Sequence, residues 1–187
     1  WSDSFEQDWS SVMAMYHAIT EKIAGTLKVQ LTPEGKKSVA ANRKINPELY
    51  KKVWLGMYKI KKPTSEEFNE GVKYLKEAMD MDPMDPLPYI GLAQGYSNAG
   101  HTSPAGSDAS RLALAYARKA LELDSTLADA WVILATNYLY KEWDFGKAEK
   151  ALQRAIQLNP NSAPAHYHNG WYLALIRKMD EGLEEMK

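Results

Sequence analysis

Apolar and small residues recur along this chain at helical spacing, and the recurrence itself repeats. One stretch reads Trp131, Leu134, Ala135 and Tyr138, then Ala148, Leu152, Ala155 and Pro160. That is a large residue, a Leu–small pair and an aromatic on one predicted helix, then small–large–small on a second, closed by proline. The segment before it carries Tyr89, Leu92, Ala93, Tyr96, Ala113, Ala117 and Ala120, with Ser125 in place of the proline. Earlier still come Leu55, Gly56, Gly71, Leu75, Ala78 and Pro83, and the last stretch has His166, Gly170, Leu173 and Gly182. Residues three or four apart share one face of a helix, so the pattern predicts successive helix hairpins. Upstream, from Asp8 to Val29, the stripe Val12, Met15 or Tyr16, Ile19, Ile23 and Leu27 predicts one amphipathic helix. Thr32-Pro33-Glu34 pairs an N-cap with proline at the first helical position and predicts a short helix over 33–42. Asn46-Pro47-Glu48 uses the same device to open the first hairpin, and Trp1 to Gln7 is weakly strand-like.

The sparse large–small pattern resembles the tetratricopeptide repeat, a helix–turn–helix unit of about 34 residues. The resemblance implies an all-α, right-handed superhelical stack of hairpins, three full repeats plus a partial fourth, preceded by N-terminal helices. Residues 1–45 form the leading segment, and the repeats fall at about 47–83, 86–125, 128–160 and 163–187. Aligning the hairpins needs about three extra residues around Lys61 to Ser65, about eight in Gly100 to Ser107 and about one near Trp143. Asp108 or Ser107 is expected to cap the helix after the long loop. Because the fourth unit lacks its closing small residue and proline, and the sequence starts at Trp1, the chain reads as a fragment.

A closer resemblance rests on Trp1-Ser2-Asp3-Ser4-Phe5-Glu6-Gln7-Asp8, Ile23-Ala24-Gly25-Thr26-Leu27, Leu31-Thr32-Pro33-Glu34, Asn46-Pro47-Glu48-Leu49-Tyr50, Leu55-Gly56, and Tyr140 to Phe145. This order is similar to the C-terminal sensory half of large bacterial signalling proteins. Those carry an N-terminal winged-helix domain, class III nucleotide cyclase or serine/threonine kinase, often with a membrane span between. It implies that Trp1 to Phe5 ends a strand of an upstream α/β domain, and that no effector residue lies in this chain.

In the repeat family the concave groove is lined by five positions of each first helix, on one helical face. Carried over, they are Tyr50, Val53, Met57, Ile60 and Lys61; Leu87, Ile90, Gln94, Ser97 and Asn98; Asp129, Val132, Thr136, Leu139 and Tyr140; and Pro164, Tyr167, Trp171, Ala174 and Leu175. The resemblance therefore predicts an apolar, aromatic groove poor in Lys and Asn and unsuited to acidic tails. Such a surface is costly if bare. Two occupants stay open: the chain's own helix at 8–29, or an amphipathic or extended segment of a protein partner.

Composition narrows the function class. The 187 residues hold 23 Lys+Arg against 24 Asp+Glu, so no strong attraction to nucleic acid or anionic lipid is implied. Cysteine is absent, which removes disulfides and thiolate chemistry. No apolar run approaches the ~18 residues of a membrane span, and the acidic start carries no secretory signal. Asp80, Asp82 and Asp85 lack the glycine and distal glutamate of a calcium loop and read as solvated carboxylates at a repeat boundary. His166 and His168 point about 200° apart on a helix and cannot share a metal; His166 falls at the large-residue position and reads as packing. Gly91 and Gly95 lie inside a helix and read as close-contact positions. Trp143 is expected to plug a helix–helix turn, with Asp144 as the cap. No nucleophile–base pair, phosphate loop or metal cluster stands out, so catalysis and cofactors are not expected. The reading is a non-catalytic protein- or peptide-binding scaffold. The alternatives are an assembly module filled by itself or by a symmetric copy, and a small-molecule sensor.

Overall fold

The computed structural model describes residues 46–62, 64–100 and 108–186. The expectations for residues 1–45 (the strand-like start and the helices at 8–29 and 33–42) and for the loop at 101–107 lie outside the described residues. Within them the chain forms eight α-helices and one π turn: α1 Pro47–Lys59, α2 Ser65–Met81, α3 Pro86–Gly100, α4 Asp108–Leu123, α5 Ala128–Asn137, a π turn Tyr138–Glu142, α6 Phe145–Leu158, α7 Ala163–Leu175 and α8 Met179–Glu185. No strand occurs among the described residues.

Local chemistry fixes where the helices begin. The Asn46 side chain accepts from the Leu49 N–H at 3.3 Å, with Pro47 supplying a first helical residue that needs no donor partner. Thr64 accepts from the Glu67 N–H at 3.2 Å and donates its hydroxyl to the Glu67 carboxylate at 3.0 Å. Ser162 caps α7 through the Ala165 N–H. Asp144 caps α6 through the Lys147 N–H at 3.0 Å, as the sequence suggests. Asp85 is not the solvated carboxylate expected: it is 3% exposed and accepts from the Leu87 N–H at 2.8 Å. The first turn of α3 has N–H groups to satisfy, and the buried carboxylate satisfies one of them.

Small residues set how closely each pair packs. A Cβ on Gly71 would lie 2.8 Å from the Gly56 carbonyl oxygen, and one on Gly182 would lie 2.6 Å from the Gly170 carbonyl oxygen. The first and fourth pairs therefore touch backbone to backbone at these crossings. In the middle pairs Ala93, Ala113, Ala135 and Ala148 hold the corresponding positions and are buried. Gly91 and Gly95 do admit a close neighbour: a Cβ there would meet Leu75 at 2.8 Å and Ile60 at 2.9 Å.

Hairpins then stack through continuous apolar clusters. Leu49, Val53, Ile60, Leu75, Ala78 and Leu92 join the first pair to α3. Tyr89, Ile90, Ala117, Ala120, Ile133 and Leu134 join the second pair to α5, and Ala135, Leu139, Leu152 and Tyr172 join the third to α7. Phe68, Tyr96, Tyr116 and Tyr89 form an aromatic row, with Tyr96 and Tyr116 stacked at 5.9 Å. Burial within this row raises the Tyr116 pKa above the usual phenol value.

The first helices also bind their own turns in a repeating way. Tyr89 Oη donates to the Pro83 carbonyl at 3.1 Å and Trp131 Nε1 to the Ser125 carbonyl at 3.1 Å; His166 Nε2 lies 3.0 Å from the Pro160 carbonyl. All three span six residues from the large position of the repeat back to the preceding turn. The packing role expected for His166 is thus a bond to the turn, joined by Glu185 of α8 at 2.6 Å from Nδ1.

The extra residue near Trp143 is absorbed inside the helix wall. A π turn holds more residues per turn than an α turn, and the Trp143 and Asp144 N–H groups both return to the Tyr138 carbonyl. Trp143 closes it in the left-handed conformation (φ 54°) and is 62% exposed. It is not the apolar plug expected: the turn swings it outward, where its ring meets that of Phe145 edge-on.

Candidate functional site

The first helices α1, α3, α5 and α7 contact one another in succession, so their inner faces form one surface. On it lies a cleft of about 300 Å³. Its walls are Ile60 and Lys61 at the end of α1, Gln94, Ser97 and Asn98 in the second half of α3, Asp129, Val132, Ile133 and Thr136 of α5, and Pro164 and His168 in the first half of α7. The contributing residues move from the last turn of α1 to the first turns of α7. The cleft therefore crosses the helices obliquely, as stacked pairs that rotate against one another dictate.

Several of its polar groups are held in place. Gln94 Nε2 donates to Asp129 Oδ2 at 3.1 Å, bridging α3 and α5. The Thr136 hydroxyl donates to the Ile133 carbonyl at 3.0 Å within α5. Beyond Thr136, Tyr140 Oη and His168 Nδ1 lie 3.1 Å apart, and the two rings meet edge-on. Burial pushes the Tyr140 pKa up to about 12, with the Tyr167 phenol adding to the shift, so Tyr140 remains a neutral phenol at neutral pH. Ile60, Val132 and Ile133 provide the apolar wall.

The residues expected to line the groove part into three groups. Ile60, Lys61, Gln94, Ser97, Asn98, Asp129, Val132, Thr136 and Pro164 come together at the cleft. Val53, Ile90 and Leu139 lie in the core clusters, at 2%, 5% and 0% exposure, and Tyr50 and Met57 pack against the first of those clusters. Tyr140 lines a small hollow beside Ser97, Ser110 and Asn137. Tyr167 and Trp171 are exposed, with rings 6.5 Å apart, and Tyr167 borders a separate hollow with His166, Glu181 and Glu185. The cleft is consequently more polar than the apolar, aromatic groove expected. Its largest apolar members are consumed by the core, and its aromatics sit beside it.

Two lining residues are absent from the repeat-derived set, Ile133 and His168. Each directly follows an assigned position, Val132 and Tyr167. A lining face drawn one residue wider, about 100° further around the helix, would have included both. Among the described residues no three His, Asp or Glu side chains converge as a metal site, and no helix is long and apolar enough to cross a membrane.

No protein-family model matches the sequence, and no curated protein matches it. Solved structures do. One of MamA is 20% identical, covering 81% of this chain and 80% of its own with a TM-score of 0.55. A second structure of MamA is 27% identical, covering 73% and 70% with a TM-score of 0.51. TTC0263, a thermophilic TPR protein in Thermus thermophilus, is 18% identical, covering 73% and 70% with a TM-score of 0.58. With its helix pairs, small-residue crossings and stacked inner helices, this chain has the all-α tetratricopeptide-repeat fold.

Proposed function

We propose that this chain is a non-catalytic protein- or peptide-binding scaffold, and that it serves as the sensory or regulatory part of a larger bacterial signalling protein. The observation that carries the first statement is the continuous cleft across four successive first helices, with apolar walls and fixed amide, hydroxyl and carboxylate groups. An extended segment lying there would exchange its main-chain hydrogen bonds with water for bonds to Gln94, Asn98 and Thr136. The second statement rests on the order of motifs from Trp1 to Phe145. Regulation would require a ligand that binds one curvature of the stack better than another.

Selecting peptides from a random display library against the 187-residue chain tests the binding reading. Asn98 is exposed at the cleft, so Asn98→Arg fills the cleft without disturbing the core. Selected peptides should lose about tenfold or more in affinity to it, the scale of about 1.4 kcal/mol, while Trp143→Ala leaves binding unchanged. Equal affinity for Asn98→Arg would refute the cleft as the binding surface. Reading the coding sequence upstream of Trp1 tests the second statement: a winged-helix, cyclase or kinase domain is expected, and its absence contradicts the signalling assignment.

A second reading, assembly with a symmetric copy, rests on a different observation. Tyr167, Trp171, Leu175, Met179, Leu183 and Met186 are all exposed on the last helix pair. Sedimentation showing a concentration-independent monomer would eliminate it.

A further inference from the structure

Elsewhere on the described surface, lysines beside the cleft already have partners. Lys59 pairs with Glu70 at 2.8 Å, and Lys62 lies over the Tyr58 ring at 4.5 Å. Lys61, between them, lines the cleft as well as a neighbouring hollow, and has no carboxylate partner among the described residues. Two first helices further on, Asp129 presents the carboxylate of the cleft, and its hydrogen bond comes from the neutral Gln94 amide, not from a cation. One unpaired positive group and one carboxylate without a cation therefore line the same cleft, from the turn after α1 and from α5.

Their separation sets a length. Helices α1, α3 and α5 are packed in succession. Ile60, next to Lys61, packs on Gly95 of α3, and the adjacent Gln94 bonds Asp129 of α5. The tilt of the helices thus takes up their lengthwise offset, and the separation is two helix spacings of about 8–10 Å, about 16–20 Å. An extended chain advances ~3.3–3.6 Å per residue, so about five or six residues span the distance. Between the two charges the walls are amide, hydroxyl and aliphatic, which suits main chain and small uncharged side chains.

We propose that the cleft selects an extended peptide carrying one acidic and one basic residue about five or six positions apart, the acidic one set against Lys61 and the basic one against Asp129. This rests on the reading of the cleft as the peptide-binding surface and adds the partner's charge pattern to it. The pattern accounts for a nearly neutral protein presenting two opposite charges at fixed spacing. A purely acidic or purely basic segment would satisfy one end and leave a like charge at the other.

The test uses short fluorescein-labelled synthetic peptides on an Ala/Ser/Leu background, each with one Glu and one Lys at graded separations in both orders. Anisotropy with the full chain should show affinity peaking near a separation of five or six in one order, and falling as salt rises. Lys61→Glu and Asp129→Lys should each weaken that peptide about tenfold, and the double exchange should move the preference to the opposite order. Asp129→Asn, which keeps the helix start favourable, serves as a second variant, with circular dichroism confirming that each variant is folded. Affinity indifferent to separation and order, affinity unchanged by the charge exchanges, or no binding to any peptide of the set would overturn the proposal. If peptides bind regardless of charge but lose affinity to Asn98→Arg, the charge pattern fails and the cleft reading stands. If they bind Asn98→Arg equally well, the cleft reading fails with it.

Discussion

Gly71 shows how a single residue decides the geometry of a pair. Alanine is the better helix former by ~1 kcal/mol, yet a Cβ here would sit 2.8 Å from both the Gly56 oxygen and the Ile60 nitrogen. Backbone cannot give way as a side chain does, so Gly71→Ala should destabilise by about 1–3 kcal/mol in urea unfolding. Gly146→Ala should do the opposite, by up to about 1 kcal/mol, because the nearest atom is Asp144 Oδ1 at 3.7 Å. Left-handed Arg177 (φ 67°) is a further case. It follows the end of α7, where the Lys178 N–H returns to the Leu173 carbonyl at 2.9 Å and the Arg177 N–H to the Ala174 carbonyl at 3.1 Å. This is the Schellman arrangement, whose left-handed position favours glycine, so Arg177→Gly should raise stability by about 0.5–1 kcal/mol. The glycine and capping positions are largely legible in the sequence. Asn46-Pro47 announces α1, and Gly91 and Gly95 announce close helix contacts, because such signals act within a turn or two. Trp143 is not legible: whether an inserted residue plugs a turn or swings out depends on the π turn that absorbs it.

At the scale of elements, the last pair is held by a titratable contact. His166 faces two acceptors, the Glu185 carboxylate at 2.6 Å and the Pro160 carbonyl at 3.0 Å. Both ring nitrogens can donate at once only in the imidazolium form. Its pKa is accordingly raised, chiefly by the bond to Glu185 and next by the Pro160 carbonyl. A pKa raised in the folded state means that the contribution is fully present below the unfolded value of about 6.5 and fades as pH rises through the folded value. Both side chains are about a third exposed, at 33% and 30%, so solvent screening limits it to below about 1 kcal/mol. Amide exchange in α7 and α8 should therefore quicken from pH 6 to pH 9 beyond the intrinsic pH effect, and His166→Gln should flatten that difference. The equivalent anchor in the third unit is not titratable. Trp131→Phe should cost about 1 kcal/mol at any pH through the lost bond to Ser125.

Across the whole molecule, the pattern of large and small residues is enough to foretell the hairpins and their order, since each pair is specified by its own sequence. The cleft is half legible. Gln94, Asn98, Asp129 and Thr136 can be found because the resemblance to the repeat family supplies the lining positions, which share one helical face. Val53 and Leu139 share that face and yet are buried, and His168 escapes it. Those outcomes depend on how far each pair is rotated against the last, a quantity that accumulates through packing and makes the lining run obliquely from Lys61 to His168. The central claim is that this oblique line is where a partner lies. Amide chemical-shift mapping with the tightest-binding Glu/Lys peptide tests it most directly. Shifts confined to residues about Lys61, Gln94, Asn98, Asp129, Thr136 and His168 are the predicted result. Shifts centred on Tyr167, Trp171 and Leu183, or on the outer faces of α2, α4 and α6, would contradict it.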